Sequence, residues 1–447
     1  MVVSTSSGRP HFVLFPLMAQ GHMIPMIDLA RLIVQRGVIV TIFTSPQNAA
    51  RFEKLLARAK QSGLQIHLLL LDFRVLEASG SPPGCENLDQ LPSFHLAYFF
   101  LIWLARLQPQ TEEIIQKLTP PPSCMIADLH LPWTAEVARK FDIPWIGLHT
   151  GSSFCQLNCE KTKEKPTDDF FKLVEETKRG AYGMVVNSFD GLEQAYVEEY
   201  KQIIGRKTWC VGPVSLCNTD DDDEAERGWQ MGSASGVHQC LKWLDSQIPE
   251  SVLYVCLGSL SNLPVSRMAE LGLALEASKK PFLWLLRAGK HLEEVNKWIS
   301  EEGYEERMEG RGVVVRGWAP QLLILSHPSV GGFLTHCGWN SVLEGISVGV
   351  PMVTLPLFAD QFCNEKLVVD ELKIGVKSGK GETDDIRKES VTEAIRELMD
   401  EGGERRKRAR ELCEMANKAM GDGGSSQRNL TLLIEEIEKR KSTNLIR

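Results

Sequence analysis

The sequence predicts an α/β protein of two Rossmann-like domains, and three observations predict it. The chain has 447 residues, long for a single hydrophobic core, so two domains are the natural division. Short apolar runs that end in polar turns alternate with stretches of helical spacing, the pattern of parallel strands joined by crossover helices. One tract alone, Ser215 to Gly236 with its acidic run Asp220 to Asp223, has the composition of a linker and reads as a solvated tether with no catalytic role. The expected layout is therefore a first domain over 1–214, a linker over 215–236 and a second domain over 237–429, followed by a last helix over 430–447.

Composition removes several classes of function. A formal net charge of -8 argues against nucleic acid as a partner. The eleven cysteines are scattered, odd in number and without a CxxC pair, which points to reduced thiols in the cytoplasm and away from a disulfide framework or a zinc site. The most apolar long run, Phe94 to Leu107, is too short to span a bilayer and is broken by His95 and Arg106. The opening MVVSTSSGRP has neither the charged nor the apolar region of a signal peptide. We expect no integral membrane association and a monomer.

Taken in order, His11 to Pro16 is a short apolar strand, and Met18 to His22 is the loop after it. Pro25 suits a first helical turn, and Ile27, Ala30, Leu32 and Val34 keep helical spacing to Gly37. Val38 to Thr44 is the next strand, which completes a parallel crossover unit whose ligands collect at the carboxyl ends of its strands. His22 lies at such an end, although a lone loop histidine is ordinarily a polar surface or capping residue. Phe94, Tyr98, Phe99, Phe100 and Trp103 lie close together on one helix, a stripe that is more often core than binding site. Cys124 to Asp128 is a strand ending in a carboxylate before a helix from about Pro132; by position alone Asp128 is a helix or turn cap. Pro144 to Leu148 is a further strand, with His149-Thr150-Gly151-Ser152 at its end, and Tyr182 to Asn187 and Thr208 to Val211 are the last strands of the first domain.

The second domain opens with a helix through Cys240 to Leu244 and the strand Val252 to Leu257, which leads to Gly258 and Ser259. Strands at Phe282 to Leu286 and Val313 to Arg316 run into Trp318. From Trp318 to Gln361 the chain reads WAPQLLILSHPSVGGFLTHCGWNSVLEGISVGVPMVTLPLFADQ. A strand, Gly332 to Thr335, passes through the polar turn His336-Cys337-Gly338-Trp339-Asn340 into a helix that Gly349 and Pro351 end. Such a turn aims free backbone N–H groups and the positive end of a helix dipole at one point, a seat for phosphate, and glycine at 338 lets a ligand come close. Ser341 and Glu344 also fit a capping box, which needs no ligand. That reading leaves His336, Trp339 and Asn340 unexplained, along with Asp360 and Gln361 after the strand Met352 to Leu357. Ends of adjacent strands in a doubly wound sheet share one crevice, so the two polar clusters are expected to converge. Helices follow at Val391 to Asp400, Glu404 to Met420 and Leu430 to Arg440.

From Trp318-Ala319-Pro320-Gln321 to Asp360-Gln361, this segment resembles the signature box of the plant secondary-product glycosyltransferases, family 1 UDP-dependent enzymes that move sugar from a UDP-sugar onto small lipophilic acceptors. The resemblance covers essentially the whole chain and implies a GT-B fold, two Rossmann-like domains facing each other across a cleft. It implies that Trp318 stacks on uracil, the backbone of Ala319 pairs with the edge of that ring, and Gln321 and Glu344 hold the ribose hydroxyls. His336, Gly338, Asn340 and Ser341 would contact the diphosphate, with Ser259 nearby, and Trp339, Asp360 and Gln361 the hexose. A closing glutamine goes with glucose donors in this family. His22 matches the family's catalytic base, which takes the proton of the acceptor hydroxyl, and Asp128 its paired carboxylate. The region of Phe94, Phe99 and Trp103, together with Thr150, would line the acceptor pocket. The last helix would cross back onto the first domain. Two stretches, 159–169 and 379–382, are shorter than the family's pattern.

The implied activity is inverting transfer of glucose from UDP-glucose, a co-substrate and not a cofactor, to a hydroxyl of a flavonoid, other phenolic, triterpenoid or steroid aglycone, with no metal ion. A nicotinamide-dependent oxidoreductase would need a GxGxxG turn that the chain lacks. A protein that binds the nucleotide sugar without transferring it would have lost the base, whereas His22 and Asp128 are both present.

Overall fold

A computed structural model describes residues 8–162, 168–218, 221–227, 234–287, 291–379 and 386–444. Among them, no helix is long and apolar enough to cross a membrane. The chain forms two compact units, Met1–Cys217 with Lys418–Arg447, and Asn218–Asn417.

The first unit holds seven strands: β1 (His11–Phe15), β2 (Ile39–Thr44), β3 (Ile66–Leu70), β4 (Cys124–Asp128), β5 (Trp145–His149), β6 (Gly183–Val186) and β7 (Lys207–Cys210). All pair in parallel in the order β3-β2-β1-β4-β5-β6-β7. Strands β1, β4 and β5 are buried at every position, as apolar runs covered by helices on both faces must be. The order reverses at β1, which has β2 on one side and β4 on the other, and Phe15 stands level with Ala127. Loops leaving β1 and β4 therefore part in opposite directions and open a crevice between them. Helix Ser425–Asn444 closes this unit against β7: Asn429 Nδ2 donates to the Cys210 carbonyl at 2.9 Å, and the Tyr182 hydroxyl donates to Glu436 at 2.6 Å.

The second unit repeats the plan with β8 (Val252–Cys256), β9 (Phe282–Leu286), β10 (Gly312–Arg316), β11 (Val330–Thr335), β12 (Met352–Thr354) and β13 (Gly375–Lys377), in the parallel order β10-β9-β8-β11-β12-β13. Here the order reverses between β8 and β11, whose ends Cys256 and Thr335 are in register.

Of the tract 215–236 read as a tether, residues 219–220 and 228–233 lie outside those described, and the structure corrects part of the remainder. Val214–Cys217 forms a 3₁₀ turn and Asp221–Glu226 a helix that packs on helix Gln321–Leu325, with Asp223 and Arg227 buried. Most of the shortened stretches, 163–167 and 380–382, lies outside the described residues.

Candidate active site

In the first unit the site is built at the reversal of the sheet. His22 is not in a loop: helix Gln20–Val34 begins two residues before it, which puts its ring in the first turn, directly above the end of β1. Pro25 accordingly falls inside that helix and not at its start. Asp128 ends β4 and is 1% exposed. The two side chains meet, with His22 Nδ1 2.6 Å from Asp128 Oδ2. The other carboxylate oxygen, Oδ1, accepts from the backbone N–H of His130 and lies 3.0 Å from His130 Nδ1. Burial alone would raise the Asp128 pKa, but the His22 and His130 imidazoles outweigh it and hold the carboxyl well below the ordinary carboxylate range. An ionised carboxylate only accepts, so Nδ1 of His22 carries the hydrogen and Nε2 the lone pair. That is the tautomer a general base needs, with the carboxylate placed to stabilise the imidazolium once it forms.

Thr150, expected among acceptor contacts, has its Oγ1 3.2 Å from His22 Nδ1, on the same nitrogen as Asp128. Among the described residues, the cluster with metal-ligand spacing is His22, Asp128 and His130, whose ligand atoms lie within 4.8 Å of one another. Both imidazoles already turn Nδ1 onto the carboxylate.

The aromatic stripe divides. Phe100 is fully buried in the core, whereas Phe99 is 49% exposed and stacks on half-buried Trp103 four residues on, with ring centroids 6.2 Å apart. Phe94 opens a 3₁₀ turn, Phe94–Leu96, and its side chain lies outside those described.

In the second unit, helix Trp339–Ser347 begins at Gly338, which offers no side-chain cap. The capping box therefore does not form. Ser341 and Glu344 sit inside the helix and turn to Gln321, whose amide donates to Ser341 Oγ at 3.0 Å and to Glu344 Oε2 at 2.7 Å. A further correction concerns Gly338. The room it leaves is taken by the His336 ring: a Cβ there would stand 2.4 Å from His336 Nε2, and one on Gly258 2.5 Å from the same atom. This contact places the loop that carries half-buried Ser259 beside the turn after β11. Burial, helped by the charge of Arg287, pushes the His336 pKa down to about 4. The ring is therefore neutral near pH 7 and offers a dipole where the resemblance implies a diphosphate contact. Its buried Nδ1 has no hydrogen-bond partner among the described residues.

The two polar clusters do converge. Strand β12 runs beside β11, and Asn364 bridges the loops that follow them, with Nδ2 3.0 Å from the Cys337 carbonyl and 2.9 Å from Asp360 Oδ2. Gln361, itself buried, spends its side-chain oxygen on the backbone amides of Leu357 and Phe358, at 2.8 and 3.1 Å, which fixes the orientation of its side-chain amide. Trp318, Ala319 and Trp339 are buried, and Asn340 and Asp360 half-buried.

The chain is 46% identical to UDP-glycosyltransferase 73C5 of Arabidopsis thaliana, with 99% of this chain and 100% of the relative covered. The chain belongs to the UDP-glycosyltransferase family. A family model described as "UDP-glucoronosyl and UDP-glucosyl transferase" matches residues 237–408, the part that holds the second cluster. Among solved structures, Glycyrrhiza uralensis UGT73P12 complexed with glycyrrhetinic acid 3-O-monoglucuronide superposes with a TM-score of 0.85 at 34% identity, covering 98% of this chain and 97% of that one. Arabidopsis thaliana UGT89C1 complexed with UDP-L-rhamnose gives 0.84 at 32% identity, with 96% and 100% covered, and the same enzyme has been solved with quercetin.

This UDP-glycosyltransferase is thus a plant family 1 enzyme of the GT-B fold that transfers a glycosyl group from a UDP-sugar. Its alignment with 73C5 runs over 499 positions against the 447 residues of this chain, so the relative carries at least 52 residues that this glycosyltransferase lacks. Three polar residues of the glycosyltransferase escaped the sequence reading, the first being His130, whose signal was its place two residues after Asp128. Asn364 carries a usable signal, because it stands four residues after Asp360 on one helix face. Arg227, whose guanidinium donates to Glu344 Oε1, carries none, because it follows an acidic run that composition assigns to solvent.

Proposed function

We propose that this chain transfers glucose from UDP-glucose to a hydroxyl of a small lipophilic plant metabolite, a flavonoid, other phenolic, triterpenoid or steroid aglycone, in one inverting step that needs no metal ion. The observation that carries the reading is the His22–Asp128 pair, 2.6 Å apart, with its carboxylate buried and held ionised. The acceptor O–H gives its proton to His22 Nε2 as its oxygen attacks the anomeric carbon, and the bond from that carbon to UDP breaks with its electron pair leaving on the diphosphate. One displacement turns an α-linked donor into a β-O-glucoside. In this reading Trp318 and Ala319 take the uracil, Gln321 and Glu344 the ribose, and Trp339, Asp360 and the NH₂ of Gln361 the glucose. The diphosphate meets the amides at Gly338, Asn340 and Ser341, with His336 and Ser259 beside them.

Half-exposed Phe99 and Trp103 suit an apolar acceptor, and solved relatives hold glycyrrhetinic acid 3-O-monoglucuronide and quercetin. UGT89C1 is solved with UDP-L-rhamnose, so the donor sugar is part of what must be tested. All eleven cysteines are free thiols, which supports a cytoplasmic setting.

The test is His22→Ala, assayed by product mass across aglycones with UDP-glucose and other UDP-sugars. Transfer should fall by about 10²–10⁴-fold while UDP affinity stays within about twofold. A variant that glycosylates at the wild-type rate would overturn the mechanism.

A further inference from the structure

Arg227 is a buried cation that the proposed reaction leaves unused. It is 9% exposed although it stands in a tract whose composition belongs in solvent. Its backbone N–H donates to the Asp223 carbonyl at 3.1 Å, at the end of helix Asp221–Glu226, and that helix packs on helix Gln321–Leu325. From there its guanidinium reaches Glu344 Oε1 in an ion pair whose side chains are 7% and 6% exposed. The other oxygen of Glu344, Oε2, accepts from Gln321 Nε2.

Counting acceptor capacity shows what this arrangement leaves. A carboxylate has about four lone-pair sites, two on each oxygen. The guanidinium uses one on Oε1 and Gln321 one on Oε2, so each oxygen retains one, the complement of two neighbouring hydroxyl groups. A carboxylate on a residue only 4% exposed needs a countercharge, and a planar guanidinium fixes its orientation better than a flexible ammonium. Gln321, neutral and already bonded to Ser341, does not supply that charge.

We propose that Arg227 is a positioning residue of the donor site, holding Glu344 so that its two oxygens accept the vicinal hydroxyls of the ribose of a nucleoside diphosphate. The inference rests on the reading that Glu344 meets the ribose. It adds a determinant of ribose recognition from outside the signature segment.

The test compares UDP with 2′-deoxy-UDP by calorimetry on the wild type, Arg227→Met and Arg227→Lys. The wild type should prefer UDP by about tenfold or more, the worth of a hydrogen bond to a charged group. Arg227→Met should weaken UDP by about tenfold and bring the ratio close to one, with 2′-deoxy-UDP changed by less than about threefold. Arg227→Lys, which keeps the charge and guards against a folding artefact, should fall between. In turnover the loss should enter KM for the UDP-sugar and leave kcat within about twofold. If Arg227→Met keeps the wild-type ratio, or weakens both nucleotides equally, the residue is merely structural and the proposal fails. If the wild type shows no preference for UDP, the ribose assignment of Glu344 is itself wrong and the proposal falls with it.

Discussion

His336 gives the most quantitative expectation. Its pKa is pushed from 6.5 to about 4 in the folded protein by burial and by Arg287. The folded state therefore binds fewer protons than the unfolded chain between those values, and stability must fall as pH drops through that window. At pH 7 the histidine is neutral in both states and costs almost nothing. At pH 5 the unfolded imidazole is mostly protonated and the folded one is not, which favours unfolding by about 2 kcal/mol through this ring alone. His149, also buried and pushed down to about 4, adds a similar amount from the first unit, so the wild type alone does not isolate either ring. His336→Gln removes one titration and leaves the other. Urea unfolding of wild type and variant at pH 7 and pH 5 measures the difference: the variant should lose about 2 kcal/mol less than the wild type between the two values. Equal losses would refute the claim that His336 is held neutral, and with it the view that the donor seat presents a dipole at this position.

Two other substitutions probe the rest of the site. Asp128→Asn keeps the shape but removes the charge that stabilises the imidazolium and can offer His22 an N–H in place of an acceptor, so kcat should fall by about 10²–10⁴-fold with UDP binding unchanged by calorimetry. Asn364→Ala cuts the bridge between Cys337 and Asp360 and leaves a buried carbonyl unpaired. It should cost about 1–3 kcal/mol in a melting or denaturant assay and raise KM for the UDP-sugar more than it lowers kcat.

Much of the fold was legible because parallel strands buried on both faces must be apolar throughout. Cys124 to Asp128 and Phe282 to Leu286 stand out as unbroken runs and form strands with those same bounds. Two of the four edge strands escape that logic: Ile66–Leu70 is partly exposed, Gly375–Lys377 has three residues, and neither was anticipated, whereas the edge strands Lys207–Cys210 and Gly312–Arg316 were. Helix starts were misplaced where the cap is not a side chain. Ala19 and Gly338 both begin helices without a capping oxygen, so His22 looked like a loop residue and Ser341 like a cap. At the site, the residue types of the signature segment pointed to the nucleotide chemistry, but pairings between distant segments had no local trace. Arg227 on Glu344, Thr150 on His22 and the His336 ring between two glycines are products of tertiary packing.

The clamp on Asp128 is assembled almost entirely from its own neighbourhood: one oxygen is held by the amide and ring of His130, two residues on, and only the other reaches across to His22. A turn of three residues thus fixes the orientation of the carboxylate that holds the His22 ring. In the proposed reaction, changes to the walls around the incoming molecule would therefore leave the His22–Asp128 pair aligned, which separates breadth of acceptor choice from competence in proton removal.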